Sequence, residues 1–223
     1  YFVHDAILNR KDRELLTEGE LPESMSLESV MAARDGGALL IDTRDQTAFS
    51  GGHLDGSINI ALDGRFAEYA GSVARPGDDL VLISEPGTEL EARTRLARIG
   101  FDTVIGYLAD PYGAMASNPE AVRRSSRLTA DEFLTRRDQL EGLTVIDVRN
   151  PGETEAGVLE GAVTVPVARL RDELAELADH KEAPVVAICA GGYRSSIAAS
   201  LLRANGFTDV SDVLGGYGAL DPA

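Results

Sequence analysis

The second half of this chain repeats the first at a constant offset of 105 residues, and nothing else in the sequence constrains the fold as much. Ile41-Asp42-Thr43-Arg44 matches Ile146-Asp147-Val148-Arg149. Leu54-Asp55-Gly56-Ser57-Ile58-Asn59-Ile60 matches Leu159-Glu160-Gly161-Ala162-Val163-Thr164-Val165, and Tyr112-Gly113-Ala114-Met115 matches Tyr217-Gly218-Ala219-Leu220. Three separate blocks in one register mean two copies of one fold of about 100 residues each. A solenoid array is disfavoured, because its units are much shorter. The expected boundaries are 1–20 for an N-terminal tail, 21–118 for the first domain, 119–127 for a polar linker and 128–223 for the second domain.

Each copy alternates short apolar runs with helix-like segments. In the second copy, Thr129-Ala130-Asp131-Glu132 is a capping box that opens a helix to about Gln139. A strand over 143–147 follows, then a short helix near Pro151. After it come a strand over 163–165, a helix over 167–177, a strand over 185–188, a helix over 195–205 ended by Gly206, and a strand over 210–214. The fold class is therefore α/β: two domains, each a mostly parallel sheet of about five short strands covered by helices on both faces. Such sheets bind ligands at the carboxyl ends of their strands, where Asp147 and Cys189 both lie.

Cys189 is the only cysteine. That excludes an intramolecular disulfide and dithiol chemistry, and it fits a reducing compartment such as the cytoplasm. The net charge of −16 argues against nucleic acid and anionic membrane surfaces as partners. Apolar runs such as Ala38-Leu39-Leu40-Ile41 are far too short to span a bilayer, and no secretory signal is visible. His4, His53 and His180 have no zinc-like spacing, so neither a metal nor a cofactor is expected. The chain opens on Tyr1 and not Met, so it is expected to be a piece of something longer.

The cysteine ends an apolar run and is followed by Ala190-Gly191-Gly192-Tyr193-Arg194-Ser195 before a helix. A thiol there sits among backbone N–H groups at a helix N-terminus, beside a cation, a position that favours thiolate over thiol. Gly191 and Gly192 let successive N–H groups turn inward as an anion nest. Arg194 either places charge near a bound anion or holds the loop in shape. Ser195 is placed to cap an orphan N–H at the helix start. Four residues separate Cys189 from Arg194, whereas tyrosine-phosphatase-type loops have five, which make room for a tetrahedral phosphate. The tighter loop suits one extra sulfur atom on the cysteine.

On these residues the second copy resembles the rhodanese family, whose active-site loop is a cysteine, four residues and Arg-Ser or Arg-Thr. The upstream run Asp147-Val148-Arg149-Asn150-Pro151-Gly152-Glu153 is similar to the family's strand motif, and the resemblance extends over both copies. It implies a sulfurtransferase in which Cys189 carries the persulfide and Ala190, Gly191, Gly192, Tyr193, Arg194 and Ser195 form its cradle. Asp147 and Arg149 then support the loop; a structural ion pair at the strand end stands beside a direct substrate role for them. The partners implied are thiosulfate or a low-molecular-weight persulfide as donor, and a thiol or cyanide as acceptor. The chain departs from the family at Val158, where a histidine is common, and at Leu220, where a tryptophan is usual. His53 keeps that histidine in the copy without a cysteine, so it is read as structural.

The offset places Ser84 opposite Cys189, Glu85 opposite Ala190 and Glu89 opposite Arg194. A serine forms no persulfide, and two glutamates repel an anion. The first domain is therefore expected to be non-catalytic. The opening Tyr1-Phe2-Val3-His4-Asp5-Ala6-Ile7-Leu8-Asn9-Arg10 is similar to the segment that closes a metallo-β-lactamase-fold domain in persulfide dioxygenase–rhodanese fusions, which implies an upstream metal-dependent partner domain. Two other readings stay open: a docking module with an idle cysteine, and a cysteine-dependent phosphatase or arsenate reductase.

Overall fold

Short apolar runs such as Leu80-Val81-Leu82-Ile83 become strands here, because such runs can be buried from both sides of a sheet. A computed structural model describes residues 20–220. Its strands are β1 (Ser24–Met25), β2 (Leu39–Asp42), β3 (His53–Leu54), β4 (Ile58–Asn59), β5 (Leu80–Ile83) and β6 (Val104–Leu108), then β7 (Val122–Arg123), β8 (Ser126–Leu128), β9 (Thr144–Asp147), β10 (Val163–Thr164), β11 (Pro184–Ile188) and β12 (Asp209–Val213). Two five-stranded sheets form, in the orders β1-β6-β5-β2-β4 and β8-β12-β11-β9-β10. The order is the same in both, as the repeat requires. The described pairings, β2 with β5 and β9 with β11 among them, run parallel.

Parallel neighbours need crossovers, and helices supply them. The second copy uses Ala130–Gln139, Pro151–Thr154, Val167–Glu173 and Tyr193–Ala204. All four residues of β5, and Val185 to Ile188 of β11, are buried on both faces. Leu128, Phe133, Val145, Val186, Ile188 and Val213 form one core cluster of the second copy. The capping box at Thr129 is present: Glu132 N–H donates to Thr129 Oγ1 at 3.3 Å, and Thr129 N–H donates to Glu132 Oε2 at 2.8 Å. The described part of the chain clusters into two compact units, residues 20–45 with 60–122, and residues 46–59 with 123–220.

Several local expectations change. The helix expected over 195–205 begins at Tyr193 and ends at Ala204, because Gly192 takes a left-handed φ of +92° and turns the chain into the helix two residues early. Ser195 is consequently the third residue of the helix and not its cap, a place that Gly192 takes without a side-chain hydrogen bond. The helix expected over 167–177 stops at Glu173, where tighter bonds such as Glu176 N to Glu173 O (3.0 Å) take over and leave Leu177 in the core. Within the segment 119–127 expected as linker, Ser126 and Arg127 belong to β8, paired with Ser211 and Asp212 of β12. The buried Asp212 carboxylate explains this, since Arg127 covers it with Nε and Nη2 contacts of 3.1–3.2 Å. The tail, apart from Glu20, lies outside the described residues. Among the described residues, no helix is long and apolar enough to cross a membrane.

Candidate active site around Cys189

β9 and β11 lie side by side with Asp147 opposite Ile188, and Val148 N–H donates to Ile188 O at 2.8 Å. Asp147 and Cys189 are thus brought to adjacent strand ends at the carboxyl edge of the sheet. Cys189 is buried, with 1% of its surface exposed. The Gly192 N–H donates to Cys189 Sγ at 3.1 Å, and Ser195 Oγ lies 3.5 Å from the same sulfur. Gly192 is required for this turn: besides its positive φ, a Cβ there would stand 3.2 Å from Gly215 N and 3.4 Å from Val213 O. Ala190 and Gly191 are exposed, Tyr193 half-buried.

A short turn after β12 sets the orientation of the loop's peptides. Tyr217 N–H donates to Cys189 O at 2.6 Å, and Gly218 N–H donates to Ala190 O at 3.1 Å. In a planar trans peptide the N–H points opposite to the C=O. The amides of Ala190 and Gly191 therefore face away from this turn. Gly216, at φ +59°, makes the approach possible, since a Cβ there would fall on the Cys189 carbonyl oxygen and within 2.8 Å of the Ala190 carbonyl group.

Arg194 is bound to a neighbour. Its Nη1 and Nη2 donate to Glu153 Oε2 and Oε1 at 2.5 and 2.6 Å, a two-pronged ion pair between the loop helix and the helix Pro151–Thr154. The Arg194 hydrogen bond is the main reason the Glu153 carboxyl is held down to about 2, helped by the Asn150 N–H and the charges of Arg194 and Arg149 against the cost of burial. Of the two roles open to Arg194, this geometry belongs to holding the loop.

Asp147 and Arg149 form a buried pair. Arg149 Nε lies 3.0 Å from both carboxylate oxygens, and its Nη2 is 2.7 Å from Asp147 Oδ2. Those hydrogen bonds push the Arg149 guanidinium up from its ordinary value. Arg149 also donates to Gly157 O at 2.8 Å, and its Cζ lies 3.9 Å from the centroid of the Tyr217 ring. Since Tyr217 holds the Cys189 carbonyl, the pair supports the loop through that tyrosine. Glu153, Gly216 and Tyr217 were not singled out from the sequence as site residues. Each left a signal: Glu153 completes a capping box with Asn150, Gly215-Gly216 follows an apolar strand, and the tyrosine recurs at 112 and 217.

In the first copy, Ser84 follows β5 where Cys189 follows β11. It is buried, and Thr43 Oγ1 lies 2.8 Å from its hydroxyl. Gly87 has the same φ of +92° as Gly192. Its N–H donates to the Glu89 carboxylate at 2.9 Å rather than to a sulfur. Tyr112 Oη donates to Glu85 Oε1, and Arg44 pairs with Asp42 as Arg149 does with Asp147. The two glutamates therefore do more than repel an anion, because both are tied to local donors. His53 is buried, stacked on Phe49 at 3.9 Å, with Nδ1 2.9 Å from Phe49 O. Among the described residues no cluster of histidine, cysteine or acidic side chains has the makings of a metal centre.

A family model described as "Rhodanese-like domain" matches residues 26–113 and again residues 129–221. "Uncharacterized protein YqhL" of Bacillus subtilis is 38% identical over 90 residues, 40% of this chain and 68% of that one. A tRNA uridine(34) hydroxylase of Xanthomonas axonopodis pv. citri is 34% identical over 83 residues, 35% of this chain and 34% of that one. The chain thus spans about two thirds of the first relative and about one third of the second. Among solved structures, a thiosulfate sulfurtransferase from Pseudomonas aeruginosa aligns over 88% of this chain and 42% of its own, at 22% identity and a TM-score of 0.38.

Proposed function

This chain belongs to the rhodanese family, in two tandem copies, and on that premise we propose that it is a sulfurtransferase working through a persulfide on Cys189. The observation that carries the proposal is the N–H of Gly192 directed at Cys189 Sγ at 3.1 Å, in a loop whose carbonyls are held by the turn at Gly216. An amide aimed at a sulfur stabilises negative charge there, both on the attacking thiolate and on the persulfide it becomes.

The Cys189 thiolate attacks the sulfane sulfur of thiosulfate or of a low-molecular-weight persulfide. A new S–S bond forms on Cys189, the donor's own bond to that sulfur breaks, and the leaving group, sulfite or a thiolate, departs with the electron pair. A thiol or cyanide acceptor then attacks the outer sulfur, and the electron pair returns to Cys189. No external oxidant or reductant enters, and no second cysteine is needed. Ser195 Oγ, beside the sulfur, is the second polar group that can follow its charge.

In this proposal residues 128–223 catalyse, and residues 21–118 lack the nucleophile. A persulfide-dioxygenase-like metallo-β-lactamase-fold domain is the partner that the opening ten residues suggest, with this chain moving sulfur to or from persulfide substrates such as glutathione persulfide. A phosphatase is the weaker reading, because both terminal nitrogens of Arg194 are already on Glu153 and offer no open fork to a phosphate.

The test is intact mass after incubation with thiosulfate. The protein gains one sulfur atom, cyanide removes it, and Cys189→Ser never acquires it. Failure to take up sulfur from any sulfane donor ends the proposal, and Cys189-dependent turnover of an aryl phosphate replaces it.

A further inference from the structure

Tyr112 and Tyr217 stand at the same place in the two copies, each over the arginine of its Asp-x-Arg pair, at 5.4 Å from Arg44 and 3.9 Å from Arg149. Their hydroxyls differ in what they hold. Tyr112 Oη donates to the carboxylate of Glu85, the residue immediately after Ser84. The corresponding residue after Cys189 is Ala190, which is exposed and has no polar side chain. Tyr217 Oη has no hydrogen-bond partner among the described residues, and its other flank is Gly157, where even an added Cβ would stay 3.9 Å away. The strand ends pair alike (Asp42 with Ile83, Asp147 with Ile188), and Gly87 and Gly192 share one φ, while the turns differ: Tyr217 and Gly218 N–H donate to the Cys189 and Ala190 carbonyls, whereas Gly113 N–H donates to Asp110 Oδ1 at 3.1 Å. The first copy therefore carries, on its own side chain, an anionic oxygen against the tyrosine hydroxyl, where the residue after the cysteine in the second copy, Ala190, offers none.

We propose that Tyr217 Oη hydrogen-bonds an anionic oxygen of the sulfur donor lying over Ala190, as Tyr112 does the Glu85 carboxylate, with Arg149 stacked on the ring. This rests on the reading of Cys189 as the persulfide-bearing residue and names what the site recognises: a donor with an oxyanion close to its sulfane sulfur. The sulfonate of thiosulfate and the carboxylate of a peptide-like persulfide share that chemistry. A phenol hydroxyl on a charged acceptor makes a charge-assisted bond, and its loss weakens binding by about tenfold or more.

Tyr217→Phe tests this, because it keeps the ring on Arg149 and the backbone N–H on Cys189 O and removes only the hydroxyl. KM and kcat for sulfur uptake are measured with thiosulfate, with glutathione persulfide, and with 2-hydroxyethyl persulfide, which has no oxyanion. KM rises about tenfold or more for the anionic donors and stays unchanged for the 2-hydroxyethyl compound. A rise with thiosulfate alone assigns the sulfonate, and a rise with glutathione persulfide alone assigns the carboxylate. Unchanged KM for both anionic donors, or an equal rise for all three, overturns the role of Tyr217 and leaves the sulfurtransferase standing. A wild-type protein that takes sulfur from none of the three overturns both.

Discussion

Replacing Gly216 by alanine places a methyl group on the carbonyl that orients the cysteine loop. The residue sits at φ +59°, where an L side chain costs about 1–2 kcal/mol by itself. The Cβ would also fall on the Cys189 oxygen and within 2.8 Å of the Ala190 carbonyl carbon and oxygen, so turn and loop must separate. Separation breaks the hydrogen bonds from Tyr217 N to Cys189 O and from Gly218 N to Ala190 O, worth about 1 kcal/mol net each. The expected loss is about 3–4 kcal/mol of stability, read from urea denaturation. Sulfur uptake from thiosulfate, followed by intact mass, slows by about 100-fold, because a displacement near 1 Å at the reacting atom is enough for that. Gly218→Ala is the control. Its Cβ would come no closer than 3.4 Å to Ala190 O, so it costs under about 0.5 kcal/mol. A Gly216→Ala protein with wild-type stability and wild-type sulfur uptake refutes the claim that this turn holds the loop.

Glu153→Gln removes one partner of the Arg194 pair. The Glu153 carboxyl is depressed from 4.5 to about 2 in the fold, so its contribution is fully present above about pH 4.5 and disappears as pH falls through about 2. Urea midpoints of wild type and variant should therefore differ at pH 7 and converge between pH 4.5 and 2; a gap that is constant with pH contradicts the ion-pair account. The double variant Ser84→Cys/Cys189→Ser should take no sulfur from thiosulfate, since the Gly87 amide is already held by Glu89. Persulfide formation on residue 84 at the wild-type rate would show that the first loop needs only a thiol.

The parts of the molecule that depend on local pattern were legible in the sequence. The offset of 105 carried the two copies of one α/β fold, each a sheet of about five strands, and the Thr129 capping box fixed a helix start. The cysteine loop was legible as a place, but its internal geometry was not. Ser195 looked like a cap because serine before an apolar helix usually is one; a positive φ at Gly192 moved the start to Tyr193 and left that hydroxyl beside the sulfur. Arg194 could be read as an anion binder or as a holder of the loop, and the choice between them depends on Glu153, on a helix some forty residues earlier in the chain. The turn at Gly216 follows a different strand altogether, so only the packed fold could show that it faces Cys189. Arg127 was read as linker because the carboxylate that draws it into the sheet, Asp212, is remote in sequence.

Gly87 and Gly192 bend alike, although only one of them serves a sulfur. The molecule thus contains its own reference channel: a matched backbone with the reactive atom deleted, measured in the same tube at the same concentration. A perturbation that registers at both glycine amides acts on the scaffold, and one that registers at Gly192 alone reports sulfur chemistry.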